Sequence, residues 1–185
     1  MNNLKRISIL ATVYLLLSGC AVIEPAIKPT MAPEKGTGYV SGKFMRSSSA
    51  GFAFVLVNQT TKTEYSISLG EDGLLSEDTN NRVITIKVPP GKYVVKYWYT
   101  YGTLSRDRSS KHQVISPDLS APFIVSSGSV VFLGNYTTVS EYANSTARWM
   151  IRPRIASEDQ ARYDFGEAFP LLAKLNFSCH VCRRY

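Results

Sequence analysis

From Gly38 to about Arg154 the chain is a succession of short β-type runs separated by turn residues. Tyr39–Met45 is the first run. Phe52–Val57 is almost wholly apolar and stops at Asn58-Gln59-Thr60. Thr63–Leu69 alternates, with Tyr65, Ile67 and Leu69 on one side and Glu64, Ser66 and Ser68 on the other. Gly70-Glu71-Asp72-Gly73 breaks it. Arg82–Val88 alternates again, with Val83 and Thr85 opposed to Ile84, Ile86 and Val88. Pro89-Pro90-Gly91 is a strong turn, and Lys92–Tyr101 is the longest strand candidate. Phe123–Ser126 and Ser129–Thr137 follow, joined by Ser127-Gly128, and Arg148–Arg152 returns as a final strand. A period of two at this density predicts a mainly β fold, an antiparallel β-sandwich of about seven or eight strands. Roughly 115 residues of such pattern bury one core, so residues 38–156 are expected to form one domain.

The period changes after the strands. Ser157-Glu158-Asp159-Gln160 has the form of a capping box, in which Ser157 accepts from the backbone N–H of Gln160 and the Gln160 side chain reaches back. Glu158 and Asp159 suit the positive end of a helix dipole. Ala161, Phe165, Ala168, Leu172 and Leu175 recur at three- or four-residue spacing and form an apolar stripe. A C-terminal helix is therefore expected within 157–185, bent or restarted at Pro170, which lacks the N–H that mid-helix requires. Its stripe packs on the sandwich or is offered to a partner.

The other end reads as an export signal. Lys5 and Arg6 precede an apolar run from Ile7 to Leu17, and small residues Ser18 and Gly19 lead to Cys20. A basic start, a short apolar core and a small-residue cleavage site make a signal peptide over 1–19, too short for a stable membrane span. Leu17-Ser18-Gly19-Cys20 resembles the lipobox of bacterial lipoproteins. That resemblance implies cleavage before Cys20, a diacylglyceryl thioether on its sulfur and an acylated amino group, with palmitate-type chains holding the protein on a bilayer. In that pattern Ala21 after the cysteine, where aspartate favours inner-membrane retention, implies the outer membrane. The face, periplasmic or surface, stays open. Residues 20–37 then read as a lipidated, Pro-rich tether, with Pro25, Pro29 and Pro33 at every fourth position. Fully extended, it reaches ~50 Å at ~3.1 Å per residue.

Charge narrows the partners. The chain carries +7, and loss of the signal removes Lys5 and Arg6 from that excess. A basic domain at a membrane suits anionic lipids or envelope polymers, and export argues against nucleic acid. The positives are dispersed apart from Arg106/Arg108/Lys111 and Arg148/Arg152/Arg154. Of the three cysteines, Cys20 is assigned to lipid, which leaves Cys179 and Cys182 as a Cys-x-x-Cys pair. An oxidising compartment favours a local disulfide. A redox motif would need its first cysteine at a helix N-terminus after a strand, and a lone Cys-x-x-Cys is half a zinc site.

Two further segments carry a fold resemblance. Val88-Pro89-Pro90-Gly91-Lys92-Tyr93 resembles the strand–PGxY–strand turn of carboxypeptidase-regulatory or transthyretin-like sandwiches. Phe123-Ile124-Val125 with Gly128-Ser129-Val130-Val131-Phe132-Leu133-Gly134 resembles the later hairpin of bacterial envelope proteins that carry such domains. The resemblance implies a sandwich whose tyrosine closes the edge, and a binding or scaffolding role.

No catalytic constellation emerges. His-Glu-x-x-His, Gly-x-Ser-x-Gly and the phosphate-binding Gly-x-x-x-x-Gly-Lys are absent from the sequence. His112 lies in a polar stretch read as a solvated loop. Glu71, Asp72, Glu77 and Asp78 bracket a glycine loop without the spacing of a calcium hand. No cofactor or metal is expected. On Lys92–Tyr101, strict alternation places Tyr93, Val95, Tyr97, Tyr99 and Tyr101 on one face and Lys92, Val94, Lys96, Trp98 and Thr100 on the other. The tyrosine face would enter the core near Tyr93 and emerge at Tyr99 and Tyr101. Lys96, Trp98, Tyr99 and Tyr101 are thus the candidate binding residues. The expected function is a lipid-anchored, non-enzymatic envelope module that binds another envelope protein. The alternative is binding of an envelope glycan or anionic lipid through this strand.

Overall fold

The computed structural model describes residues 26–46, 50–69, 81–102, 112–114, 120–143 and 146–182. The strands are β1 (Gly38–Arg46), β2 (Ala50–Asn58), β3 (Glu64–Leu69), β4 (Asn81–Val88), β5 (Gly91–Gly102), β6 (His112–Val114), β7 (Phe123–Val125), β8 (Ser129–Ala143), β9 (Thr146–Arg154) and β10 (Asn176–Cys179), with helix α1 (Glu158–Ala168) before the last. They form two sheets. One has the order β10-β8-β1-β4, with β9 also on β8, and the other β3-β2-β5-β6, with β7 also on β5. The expected mainly β sandwich with a C-terminal helix is the fold observed. It departs from a purely antiparallel one at β8, which runs parallel to both β1 and β10.

The core between the sheets follows the period-two pattern. Val40 and Phe44 of β1, Ile84 and Ile86 of β4, Phe52, Phe54 and Leu56 of β2, and Tyr65 and Ile67 of β3 all join it. Phe44 meets Phe52 and Phe54, each at 5.5 Å between ring centroids. At one end, Pro89 and Pro90 carry the chain from β4 to β5. These strands belong to different sheets, so the turn is a crossover rather than a hairpin. Tyr93 is fully buried beside it and donates its hydroxyl to the Pro89 carbonyl at 2.7 Å. Burial pushes its hydroxyl pKa up, against a lowering hydrogen bond with Asn58. Asn58 accepts from the N–H groups of Thr60 and Thr61, and a Cβ on Gly91 would stand 2.7 Å from its Nδ2. Glycine is what this corner admits.

Alternation is interrupted once in each sheet. Opposite β1, the register of β8 jumps between the Ser41–Phe132 and Lys43–Asn135 pairs. Gly134, at φ +124°, sits in that bulge. The extra residue lets Val131, Leu133 and Tyr136 all face the inter-sheet core. Burial raises the Tyr136 hydroxyl to about 12.

A second buried cluster lies on the outer side of the β1–β8 sheet. Tyr39, Val130 and Phe132 supply the sheet's part, and Ala161, Phe165, Phe169 and Leu172 cover it. The covering layer takes material from both ends of the described chain. Ile27 is 6% exposed and donates its backbone N–H to Thr85 O of β4 at 2.9 Å. Glu34 accepts from Lys87 Nζ at 3.1 Å and gives its N–H to the Tyr39 hydroxyl. Residues 26–37, expected as a tether, therefore lie on the domain without forming a helix or strand. Lys43 of β1 pairs with Asp164 of α1 at 2.8 Å, and beneath them Ser41 meets Thr85 Oγ1 at 2.8 Å.

Helix α1 is capped as expected at Ser157, whose hydroxyl accepts from Gln160 N at 3.1 Å. The reciprocal half of the box does not form, because the Gln160 side chain donates forward to Asp164 at 3.1 Å. The i,i+4 neighbour on the same face draws the Gln160 side chain forward, away from the Ser157 N–H that its oxygen would accept from. Pro170 ends the helix rather than bending it. α1 stops at Ala168, and turns carry Leu172 and Leu175 back to the same apolar face.

Truncation of the covering layer tests this arrangement. Phe165→Ala is expected to cost ~3–5 kcal/mol in urea denaturation and to open residues 26–31 to protease. Tyr163→Ala, at an exposed position of the same helix, should stay within ~0.5 kcal/mol.

Candidate functional site

The second interruption of alternation decides what β5 presents. β2 pairs with β5 so that Val55 faces Tyr97 but Leu56 faces Val95, which leaves Lys96 as an extra residue. Such a bulge flips every later side chain to the opposite face. Tyr93 and Val95 point into the core as expected. Trp98 joins them there at 4% exposure, and Tyr97 and Tyr99 turn outward. Trp98 is thus corrected from a surface binding residue to a core residue. Tyr99 keeps an outward place for a different reason than strict alternation supplies. Tyr101 stands in β5 opposite Gly51.

The outer face of the β3-β2-β5 sheet is therefore built in cross-strand rows. Ser68, Ala53 and Tyr99 form one row, Ser66, Val55 and Tyr97 the next, and Glu64, Val57 and Val94 the third. Tyr97 donates its hydroxyl to Glu64 Oε2 at 3.0 Å, and Lys96 Nζ reaches Oε1 of the same carboxylate at 3.3 Å. Glu64 is on β3 and Tyr97 on β5, so the tyrosine ring must cross β2. That crossing explains why Val55 is only 2% exposed on an outward face. Burial, and then the hydrogen bond to Glu64, raise the Tyr97 hydroxyl to about 12. The Lys96 side chain remains 58% exposed above this bridge, 5.9 Å from the Tyr97 ring. The face combines half-buried tyrosine rings with one exposed lysine side chain paired to Glu64. Among the described residues this face holds no nucleophile beside a base.

The Cys-x-x-Cys pair occupies the other side. Cys179 and Cys182 are joined in a disulfide with Cα atoms 5.5 Å apart. Cys179 is the last residue of β10, a strand that sequence patterning missed, so the pair sits at a strand end rather than after a helix. His180 donates its N–H to Phe132 O at 2.8 Å, and its ring lies 5.1 Å from that of Phe123. Burial lowers its pKa, against a raising hydrogen bond with the Ala121 backbone. Val181 lies over the Gly134 bulge, within 3.3 Å of where a Cβ would stand. The disulfide loop is thereby fastened to the irregular point of β8.

Other sequence candidates separate. His112 opens β6, opposite Thr100, so it stands in a strand rather than a loop. Its three-residue partner run is too short to show a period. Arg148, Arg152 and Arg154 share one parity along β9. Cys20, the acidic residues Glu71, Asp72, Glu77 and Asp78, and the Arg106/Arg108/Lys111 stretch lie outside the described residues. Among the described residues no three His, Cys, Asp or Glu side chains gather to hold a metal ion. No helix among them is long and apolar enough to cross a membrane.

No family model matches the chain, and no curated protein does. Among solved structures, it is similar to a leucine-rich repeat protein from Bacteroides thetaiotaomicron VPI-5482 at 15% identity and a TM-score of 0.29, over 61% of this chain and 15% of that one.

Trp98→Ala is expected to lower stability by ~3–5 kcal/mol, as a core truncation. Lys96→Ala should change it by no more than ~0.5 kcal/mol. Tyrosines whose pKa is higher in the folded than in the unfolded chain stabilise the fold fully below about pH 10 and lose that contribution as pH rises toward 12. Stability measured across that window should fall, and Tyr97→Phe should flatten the fall.

Proposed function

We propose that the protein is a lipid-anchored, non-enzymatic module of the cell envelope, held by an acylated Cys20 in the outer membrane, that binds another envelope protein. The lipobox Leu17-Ser18-Gly19-Cys20 supports the anchor. One observation carries the binding role: the bulge at Lys96 sets Tyr97, Tyr99 and Lys96 together on the outer face of a sheet, with Tyr97 fixed by Glu64. Aromatic side chains pre-positioned in this way lose little conformational freedom on association, which favours protein recognition. Burial of Trp98 removes the largest ring of this strand from the surface, and weighs against the glycan reading.

In-cell labelling with an alkyne fatty acid tests the anchor. The wild-type chain should take label and Cys20→Ala should accumulate as unlabelled precursor. Normal labelling of that variant would contradict the assignment. Crosslinking in intact cells, followed by affinity purification and mass spectrometry, tests the partner. One abundant envelope protein is expected, and its recovery should drop at least several-fold with a Tyr97→Ala, Tyr99→Ala double variant of normal stability. Efficient crosslinking without a protein partner would overturn the interaction reading in favour of glycan or lipid.

A further inference from the structure

The path of the chain ahead of β1 constrains how an anchored domain sits. Ile27 is buried, and its N–H is bonded to Thr85. From Cys20 to Ile27 there are seven peptide steps. At ~3.3–3.6 Å each they span at most about 25 Å. The domain has three layers, with sheets ~10 Å apart and a helix layer a further ~10 Å out. A leash of that length keeps the Ile27 end of the molecule close to the lipid.

That end has its own surface chemistry. Ile27 belongs to the buried cluster that holds Phe169, Leu172 and Leu175. The residues beside these in the chain point the other way. Leu171 is 49% exposed, and Lys28 and Lys174 are exposed. Lys174 follows Leu171 by three positions, and Lys28 follows Ile27 of the same buried cluster. An exposed leucine with lysines on long apolar stems fits the boundary between headgroups and acyl chains. The acidic first turn of α1, Glu158 and Asp159, is at the opposite end of a helix ~16 Å long. Glu167 is one turn before Leu171, and the Glu34 carboxylate is taken by Lys87.

We propose that Lys28, Leu171 and Lys174 form a membrane-contacting patch that rests on anionic phospholipid and turns the outer face of the β3-β2-β5 sheet away from the bilayer. This rests on the acyl anchor proposed above. The orientation turns the strand face that carries Tyr97 and Tyr99 toward the side away from lipid. It also places Ile124, 70% exposed on β7 of the far sheet, away from the lipid.

The test uses the full chain extracted from membranes and returned to vesicles of phosphatidylethanolamine and phosphatidylglycerol. An environment-sensitive fluorophore is attached to Leu171→Cys or, separately, to Ile124→Cys, and vesicles carry headgroup-proximal spin-labelled lipid. Quenching at least threefold stronger at position 171 than at 124 is the expected result. Flotation with vesicles and the mass of the N-terminal peptide are read on the same samples. An acylated, floating chain with equal quenching at both positions, or stronger quenching at 124, overturns the orientation alone. An unacylated Cys20 overturns the anchor and this inference with it.

Discussion

The sheet formed by β10, β8, β1 and β4 is buried on both faces, and the rest of the molecule is arranged to satisfy that demand. Tyr39, Val40 and Ser41 are each fully buried, and so are Val130 and Phe132, with Val131 and Leu133 nearly so. Alternate residues of one strand thus serve two cores. The inner core needs only the opposite sheet. The outer core needs a cover that no strand supplies, and the chain provides it from its two ends, with Ile27 from one and Phe165, Phe169 and Leu172 from the other. Several polar groups caught beneath that cover are paired, although Asn135 Oδ1 and Thr137 Oγ1 of β8 are buried with no hydrogen-bond partner among the described residues. Ser41 bonds to Ile84 O and meets Thr85 Oγ1, and Lys43 bonds to Asp164. Leaving any of these buried groups without a partner would cost about 1–3 kcal/mol.

Much of this was legible in the sequence where the local pattern and the tertiary environment agree. Alternation along Thr63–Leu69 and Arg82–Val88 marks Tyr65, Ile67, Ile84, Ile86 and Val88 correctly as inward, since these strands pair without a register shift. Ser157 marks the helix start because its cap is a local hydrogen bond. The errors fall where one residue is inserted or where stability comes from elsewhere. Strict parity along β5 mislocated Trp98, since nothing in Val95-Lys96-Tyr97 announces that Lys96 will bulge. The signal lies in the partner strand, where Leu56 and Val55 must both pair. β10 was missed because Asn176-Phe177-Ser178-Cys179 gains its strand form from parallel pairing with β8. Pro25, Pro29 and Pro33 speak for extended chain, yet the burial of Ile27 depends on a surface created by α1.

The same division of faces gives the functional reading its shape. One outer face is consumed by the covering layer and by the approach of the chain from its proposed anchor. The other outer face carries Tyr97 locked to Glu64, Tyr99 beside it and Lys96 raised by the bulge. Under the proposed anchoring, such a separation lets lipid and partner compete for no common surface. The disulfide between Cys179 and Cys182 belongs to the first side. There it closes the end of β10 and holds Val181 against Gly134.

The central claim is that recognition uses the outer face of the β3-β2-β5 sheet. Position-specific photocrosslinking in living cells tests it most directly, with the photoreactive residue placed at Lys96 or at Tyr163 of α1. The account predicts a discrete adduct with one envelope protein from position 96 and none from position 163. An adduct formed from position 163 and absent at position 96 would contradict it, and would move the interaction surface to the helix.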